Sequence, residues 1–170
     1  MTAESINWSE KLSAETEAPD TVLRQMAESA EIRGCTAAVI KLANSHDAET
    51  RKWATAALES SITPAPDEVE ALSDLLACID EGETCYWAAT MLGRLGPNVG
   101  PRTKLAVDSL EICLGDSMYL PARERSAWAL SQIGPSAASA AITLRRTAED
   151  APPRLQRLVA EALELIGEAA

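Results

Sequence analysis

The sequence predicts an all-α fold, a right-handed α-α superhelix of stacked helical hairpins, and three observations carry that expectation. The first is repetition. Met91-Leu92-Gly93-Arg94-Leu95-Gly96-Pro97 returns as Ala129-Leu130-Ser131-Gln132-Ile133-Gly134-Pro135, and its core returns as Ala162-Leu163-Glu164-Leu165-Ile166-Gly167. A weaker copy, Ala57-Leu58-Glu59-Ser60-Ser61-Ile62, lies upstream, so Leu58, Leu92, Leu130 and Leu163 recur at steps of 34, 38 and 33 residues. Periods of this size mark helical-hairpin arrays, in which each unit buries its apolar face only by stacking on a neighbour. The second observation is periodicity. Trp87, Ala88, Met91, Leu92 and Leu95 share one helical face, as do Leu155, Leu158, Val159, Ala162, Leu163 and Ile166, and no segment alternates as a strand would. The third is punctuation: all nine prolines fall between these segments or in their first turns, where a missing N–H does no harm.

Read in order, the first hairpin pairs residues 20–32 with 35–45 through Gly34, and the second pairs 48–61 with 67–80 across Pro64-Ala65-Pro66. The third pairs 83–95 with 101–115 across Gly96-Pro97-Asn98-Val99-Gly100, and the fourth pairs 121–133 with 136–149 across Gly134-Pro135. A last helix over 152–166 stops at Gly167, giving about nine helices in four and a half hairpins. Second helices carry stripes of their own, Val69, Leu72, Leu75, Leu76 and Ile79, then Leu105, Ala106, Ser109, Leu110, Cys113 and Leu114. Gly96, Gly134 and Gly167 suit the left-handed conformation that ends a helix. Residues 1–18 are polar and acidic, with Ile6, Trp8 and Leu12 as apolar anchors; they read as a flexible arm or a short docking helix. Residues 19–170 read as a single repeat domain.

Charge narrows the function classes. Residues 1–80 hold 15 acids against 6 bases and residues 81–170 hold 11 against 9, for a net charge of −11. Phosphate backbones and anionic bilayers need clustered Lys and Arg, so neither nucleic acid nor a membrane is expected as partner. No apolar run spans a bilayer and the amino terminus has no basic start, which reads as cytoplasmic. Cys35, Cys78, Cys85 and Cys113 form no Cys-x-x-Cys pair and His46 is the only histidine, so neither metal nor cofactor is expected and the thiols read as fillers of core gaps. Catalytic groupings are missing too: no Ser/His/Asp set, no Gly-rich phosphate loop and no paired Cys and His.

The repeated motif resembles the HEAT repeat, in the short form shared with phycobilisome-lyase-type repeats, whose first helix ends in Ala-Leu-Gly-x-Ile-Gly-Pro. Residues 91–97 are the best match, and the resemblance covers residues 20–167. It implies a HEAT/armadillo-like solenoid. It also implies ladders in which an Asp closing one second helix meets an Arg opening the next first helix, at Asp47/Arg51 and Asp116/Arg123. Cys85 takes the Arg position in the third unit and interrupts the ladder. Such arrays serve as scaffolds, adaptors and occasionally enzymes, so the family likeness fixes no activity.

Second helices of these arrays usually line the concave face. On them Glu70, Asp74, Asp108 and Glu111 fall off the apolar stripes, which suggests a wall for a basic protein or peptide; ordinary solvated surface is the other reading. Trp53 and Trp87 occupy one repeat position, five before the anchoring leucine, and read as core. Trp128 lies two before Leu130, in a slot turned outward, and is either a contact residue or a ring resting on Tyr119 and Pro121. The arginines at 123, 125, 145, 146, 154 and 157 are interleaved with acids and read as internally paired. The functional expectation is a non-enzymatic protein- or peptide-binding scaffold using its concave face, with a lyase-type or small-ligand role, such as handling a tetrapyrrole-like chromophore, as the alternative.

Overall fold

A computed structural model of the chain describes residues 6–14, 17–61 and 63–167. Residues 1–5 and 15–16 of the expected arm, and Ile62 at the end of the weak motif copy, lie outside the described residues. Ten α-helices and three short 3₁₀ segments run through the described residues, with no strand among them. The chain divides into two compact units, Met1–Ile62 and Thr63–Ala170. The division falls beside Pro64-Ala65-Pro66, inside what the sequence reads as one repeat domain.

The first unit holds α1 (Trp8–Ser13), α2 (Pro19–Ser29), α3 (Thr36–Leu42) and α4 (Ala48–Ser60). Asn7 caps α1 by accepting the Glu10 amide at 3.2 Å, and Trp8 buries its ring, so part of the arm is a short docked helix on α2. Pro19 opens α2 at its first turn, and α2 ends at Ala30, held at φ 56°. An L residue there crowds its own carbonyl, which makes Ala30 the strained cap of the unit. Val22, Leu23, Met26, Val39, Ile40, Ala54, Ala57 and Leu58 are buried where α2 and α3 pack on α4. Asp47 caps α4 by accepting the Thr50 amide at 2.7 Å.

The second unit holds α5 (Val69–Leu76), α6 (Gly82–Leu95), α7 (Thr103–Asp116), α8 (Leu120–Ile133), α9 (Ala141–Glu149) and α10 (Pro153–Ile166). Two layers form: α6, α8 and α10 stack side by side, and α5, α7 and α9 do the same behind them. Across the layers α5 packs on α6, α7 on α8 and α9 on α10, more extensively than α6 packs on α7. The Gly-Pro connections are corners of 3₁₀ helix, Gly96–Arg102 and Gly134–Ala140. Leu92, Leu130 and Leu163 are buried between the layers, as the repeat predicts. Leu105 departs from its predicted stripe and is 39% exposed; Val107 is buried instead, because α7 turns that flank outward. Gly167 takes the left-handed conformation, but Gly96 (φ 53°, ψ −127°) and Gly134 (φ 72°, ψ −141°) do not. They occupy a positive-φ extended region that only glycine enters readily, which swings the chain into the following proline.

The Asp/Arg ladders implied by resemblance do not form, and a different regularity replaces them. Seven residues before each anchoring leucine stands a donor that satisfies carbonyls closing the segment before its helix. Arg51 donates to the Ser45 and His46 carbonyls at 2.7 and 2.9 Å, and Arg123 to the Leu114 carbonyl at 2.9 Å. Gln156 donates to the Ala148 carbonyl at 3.1 Å, and the Cys85 thiol lies 3.3 Å from the Cys78 carbonyl. Helix ends leave up to four carbonyls without intrahelical partners, and a side-chain donor there answers a need that an Asp cannot. Asp47 and Asp116 are therefore not the acceptors; Asp47 is a cap for its own helix. Three of the four cysteines are buried, but Cys78 is exposed, against the expectation that all four fill the core.

Candidate functional site

Two surfaces of the second unit hold the predicted site residues. The first is the layer α5, α7 and α9. Glu70 and Asp74 lie one turn apart and exposed on α5, and Asp108 and Glu111 are half-buried on the adjacent α7. The acids differ in what already holds them. Arg102 sits 3.2 Å from Glu70 Oε2, Lys104 Nζ sits 2.5 Å from Asp108, and the Thr143 hydroxyl of α9 donates to Glu111 at 2.8 Å. Asp74 has no side-chain partner among the described residues. The two ion pairs join exposed side chains, a class worth about 0–1 kcal/mol, so either cation is displaced at little cost. Lys104 is held charged to a higher pH than usual by its hydrogen bond to Asp108. The same layer carries three exposed aliphatic residues, Leu105 and Ile112 flanking Asp108 along α7 and Ile142 on the adjacent α9, the last 77% exposed. This apolar component escapes the sequence reading because Leu105 belongs to the stripe by period and Ile112 and Ile142 match no motif.

The second surface is a cavity of about 220 Å³ on the layer α6, α8 and α10. Tyr86, Pro121, Glu124, Arg125, Trp128 and Arg154 line it, together with Leu158. Trp128 comes to rest here for a reason outside its own helix: its ring occupies the space that a side chain on Gly93 of α6 would fill. It therefore seats on Gly93, half-buried, with Pro121 lining the same cavity. The Arg125 guanidinium lies 5.1 Å from the centre of the Tyr86 ring and 5.4 Å from that of Trp128, and donates to the Tyr86 hydroxyl at 3.0 Å. Cations over aromatic faces gain about 0.5–1 kcal/mol when exposed and about 2 when desolvated. No carboxylate of the described residues lies within ion-pair distance of Arg125. Glu124 is nearly buried and takes Arg154 at 3.3 Å. Of the carboxy-terminal arginines, Arg154 thus finds the expected acid, whereas Arg123 takes a carbonyl and Arg125 two rings.

The remaining aromatic and thiol positions have structural roles. Trp87 is buried and meets Tyr86 edge-on at 5.2 Å. Trp53, expected in the core, is half-buried, its ring flanked by Lys52 at 5.0 Å and Arg24 at 5.8 Å. The neighbouring Cys113 side chain first, and burial second, push the Cys85 thiol up, which leaves it a poor nucleophile. Among the described residues no group of three His, Cys, Asp or Glu side chains is placed to hold a metal ion, and no helix is long and apolar enough to cross a membrane.

No protein-family model and no curated protein matches this sequence. Solved structures do match its fold. A designed armadillo repeat protein in complex with the peptide (KR)4 aligns with TM-score 0.62 at 17% identity, covering 94% of this chain and 80% of the other. A second designed armadillo repeat protein aligns with TM-score 0.61 at 16% identity, covering 96% and 82%. An engineered protein aligns with TM-score 0.60 at 19% identity, covering 94% and 79%. At these identities the likeness is one of architecture, and it shows the chain to be an all-α helical-repeat protein of armadillo-like fold.

Proposed function

We propose that this chain is a non-enzymatic scaffold that holds a basic protein or peptide segment along the second-helix face of its second unit, α5, α7 and α9. The observation that carries this reading is the interleaving of acids with exposed aliphatic side chains. Asp74 has no side-chain partner among the described residues, Glu70 and Asp108 are held by exposed Arg102 and Lys104, Leu105 and Ile112 flank Asp108 along α7, and Ile142 is exposed on the adjacent α9. A lysine- or arginine-bearing segment gains on both counts: its ammonium or guanidinium groups replace Arg102 and Lys104, and its alkyl stems cover the aliphatic side chains. The net charge of −11 favours encounter with such a segment. The similar designed protein in complex with (KR)4 supports the choice of a basic peptide as the first ligand to try.

Fluorescence anisotropy with a labelled octapeptide of alternating Lys and Arg tests the reading. Changing Glu70 and Asp74 together to Lys should weaken binding roughly tenfold, about 1.4 kcal/mol, mostly by slowing association. The same change at exposed Glu161 and Glu164 of α10 preserves the total charge change and should have little effect. Affinity should fall steeply with salt, since exposed charges are screened beyond about 8 Å at physiological ionic strength. Equal loss in both double variants means that the peptide reads only net charge, and the proposed face is then wrong.

A further inference from the structure

The cavity around Trp128 lies on the other layer and serves no purpose in peptide holding as proposed above. Its charges are unusual. Arg125 is half-buried, fixed between two rings, and bonded only to a neutral phenol, while its remaining N–H donors have no carboxylate to meet among the described residues. A guanidinium drawn partly out of water without a counter-ion carries a desolvation cost, and stacking on Tyr86 and Trp128 offsets only part of it. The cost falls when an anion arrives. The other charged groups limit which anion: Glu124 and Arg154 neutralise each other, so the lining carries one net positive charge, enough for a monoanion and too little for a dianionic phosphate. The apolar lining from Pro121, Trp128 and Leu158 asks for a flat, non-polar body beside that charge. The seat is also built in advance, because Gly93 leaves the space that fixes the Trp128 ring.

From this geometry we infer that the cavity between α6, α8 and α10 is a binding site for a carboxylate carried next to a single aromatic ring, with Arg125 as the carboxylate receptor and Trp128, Pro121 and Leu158 as the walls. The planar fork of Arg125 presents two parallel donors to a carboxylate, and its fixed stacking removes the entropy that a free arginine would lose on binding. Both a free aryl acid and a chain terminus ending in Phe present this chemistry. The charge-assisted bonds should contribute about 1.5–3 kcal/mol, roughly a tenfold to hundredfold difference in affinity between a carboxylate and its neutral counterpart.

Calorimetric titration with phenylacetate, phenylacetamide and phenyl phosphate, and with a tetrapeptide ending in Phe as free acid or amide, tests the inference. The binding locus is followed through the Trp128 indole N–H resonance. At least one acid should bind at least tenfold tighter than its own amide and shift that resonance saturably, and phenyl phosphate should bind no tighter than phenylacetate. Preference for phenylacetate identifies a free acid as the source, and preference for the tetrapeptide identifies a chain terminus. Arg125→Gln should remove most of the discrimination, and Arg125→Lys, which keeps the charge but not the fork, should reduce it several-fold. Acids and amides that bind alike, a silent Trp128 resonance, or discrimination that survives in a folded Arg125→Gln protein would overturn the site. The acid-to-amide comparison on the unaltered chain decides the matter even where a variant fails to fold.

Discussion

Trp128 of α8 sits on Gly93 of α6, its six-membered ring filling the volume where any other residue would place a side chain. The contact joins two helices of one layer and sets one wall of the Arg125 cavity. Gly93→Ala should therefore do more than insert a methyl group. Overpacking of this kind costs about 1–3 kcal/mol, and the only mobile partner is the indole, so the ring must leave its seat. Nuclear magnetic resonance of the four Trp indole N–H groups checks this: the Trp128 signal should move while that of Trp53, in the other unit, stays. An unmoved Trp128 signal with unchanged stability would show that the seat is not tight.

This contact also marks how far the sequence can be read. Leu58, Leu92, Leu130 and Leu163 are legible because burial follows the repeat period, and the helices between the prolines follow for the same reason. Gly93 is not: within its own helix it reads as a replaceable Gly in a Leu-Gly-x-Leu motif, and only the register between α6 and α8 makes it necessary. Arg125 is hidden likewise, since the acids interleaved among the carboxy-terminal arginines suggest an acid partner, whereas its rings come from 39 residues upstream and from one turn ahead. The candidate acids were legible as positions, but their existing partners Arg102 and Thr143 depend on which turn of 3₁₀ helix or which flank of α9 faces them.

Backbone strain gives opposite outcomes at two caps. Gly134 stands at φ 72°, ψ −141°, where a Cβ is strained whatever the surrounding space, so Gly134→Ala should lose about 1–3 kcal/mol. Ala30 stands at φ 56° in the left-handed region, where an L residue itself costs about 1–2 kcal/mol, so Ala30→Gly should raise stability after the entropic loss of the freer chain is deducted. Urea unfolding of both variants should give midpoints shifted in opposite directions. A stabilised Gly134→Ala would refute the assigned corner.

Burial along the layer predicts a gradient. Leu92 lies in α6, with α5 behind it and α8 beside it, whereas Leu163 lies in α10, stacked on α8 and backed by α9 at the carboxy-terminal end of the layer. Truncation to Ala should cost about 2–5 kcal/mol at either site by opening a cavity. Amide exchange separates them: Leu163→Ala should expose chiefly α9 and α10, and Leu92→Ala should loosen α5 through α8. Uniform loss of protection by both variants would mean the unit opens only as a whole.

Acid should weaken the first unit through Asp47. Its carboxylate is held below the usual range, first by the Thr50 amide and hydroxyl and then by Arg51. A depressed native value contributes stability that is present above the unfolded value, about 3.9, and is lost as pH falls through the native one. Asp47→Asn should therefore be less stable than the parent at pH about 7, and the difference should close toward pH about 2. A difference that persists undiminished in acid would assign the cap to shape alone, without charge.

The repeated donor seven residues before each anchoring leucine supplies the sharpest contrast with the expected ladders. Arg123 gives its Nε hydrogen to the Leu114 carbonyl, and the neighbouring carboxylate of Asp116 takes no part. Loss of a charged donor to a carbonyl at a helix end costs about 1.5–3 kcal/mol, so Arg123→Ala should lower the urea midpoint, and Arg123→Gln should recover part of the loss because Gln156 does the same task one unit later. Asp116→Asn should leave the midpoint in place, and added salt should not narrow the gap between the parent and Arg123→Ala. A true Asp116/Arg123 ion pair predicts the reverse on both counts: Asp116→Asn would match Arg123→Ala, and salt would erase the difference.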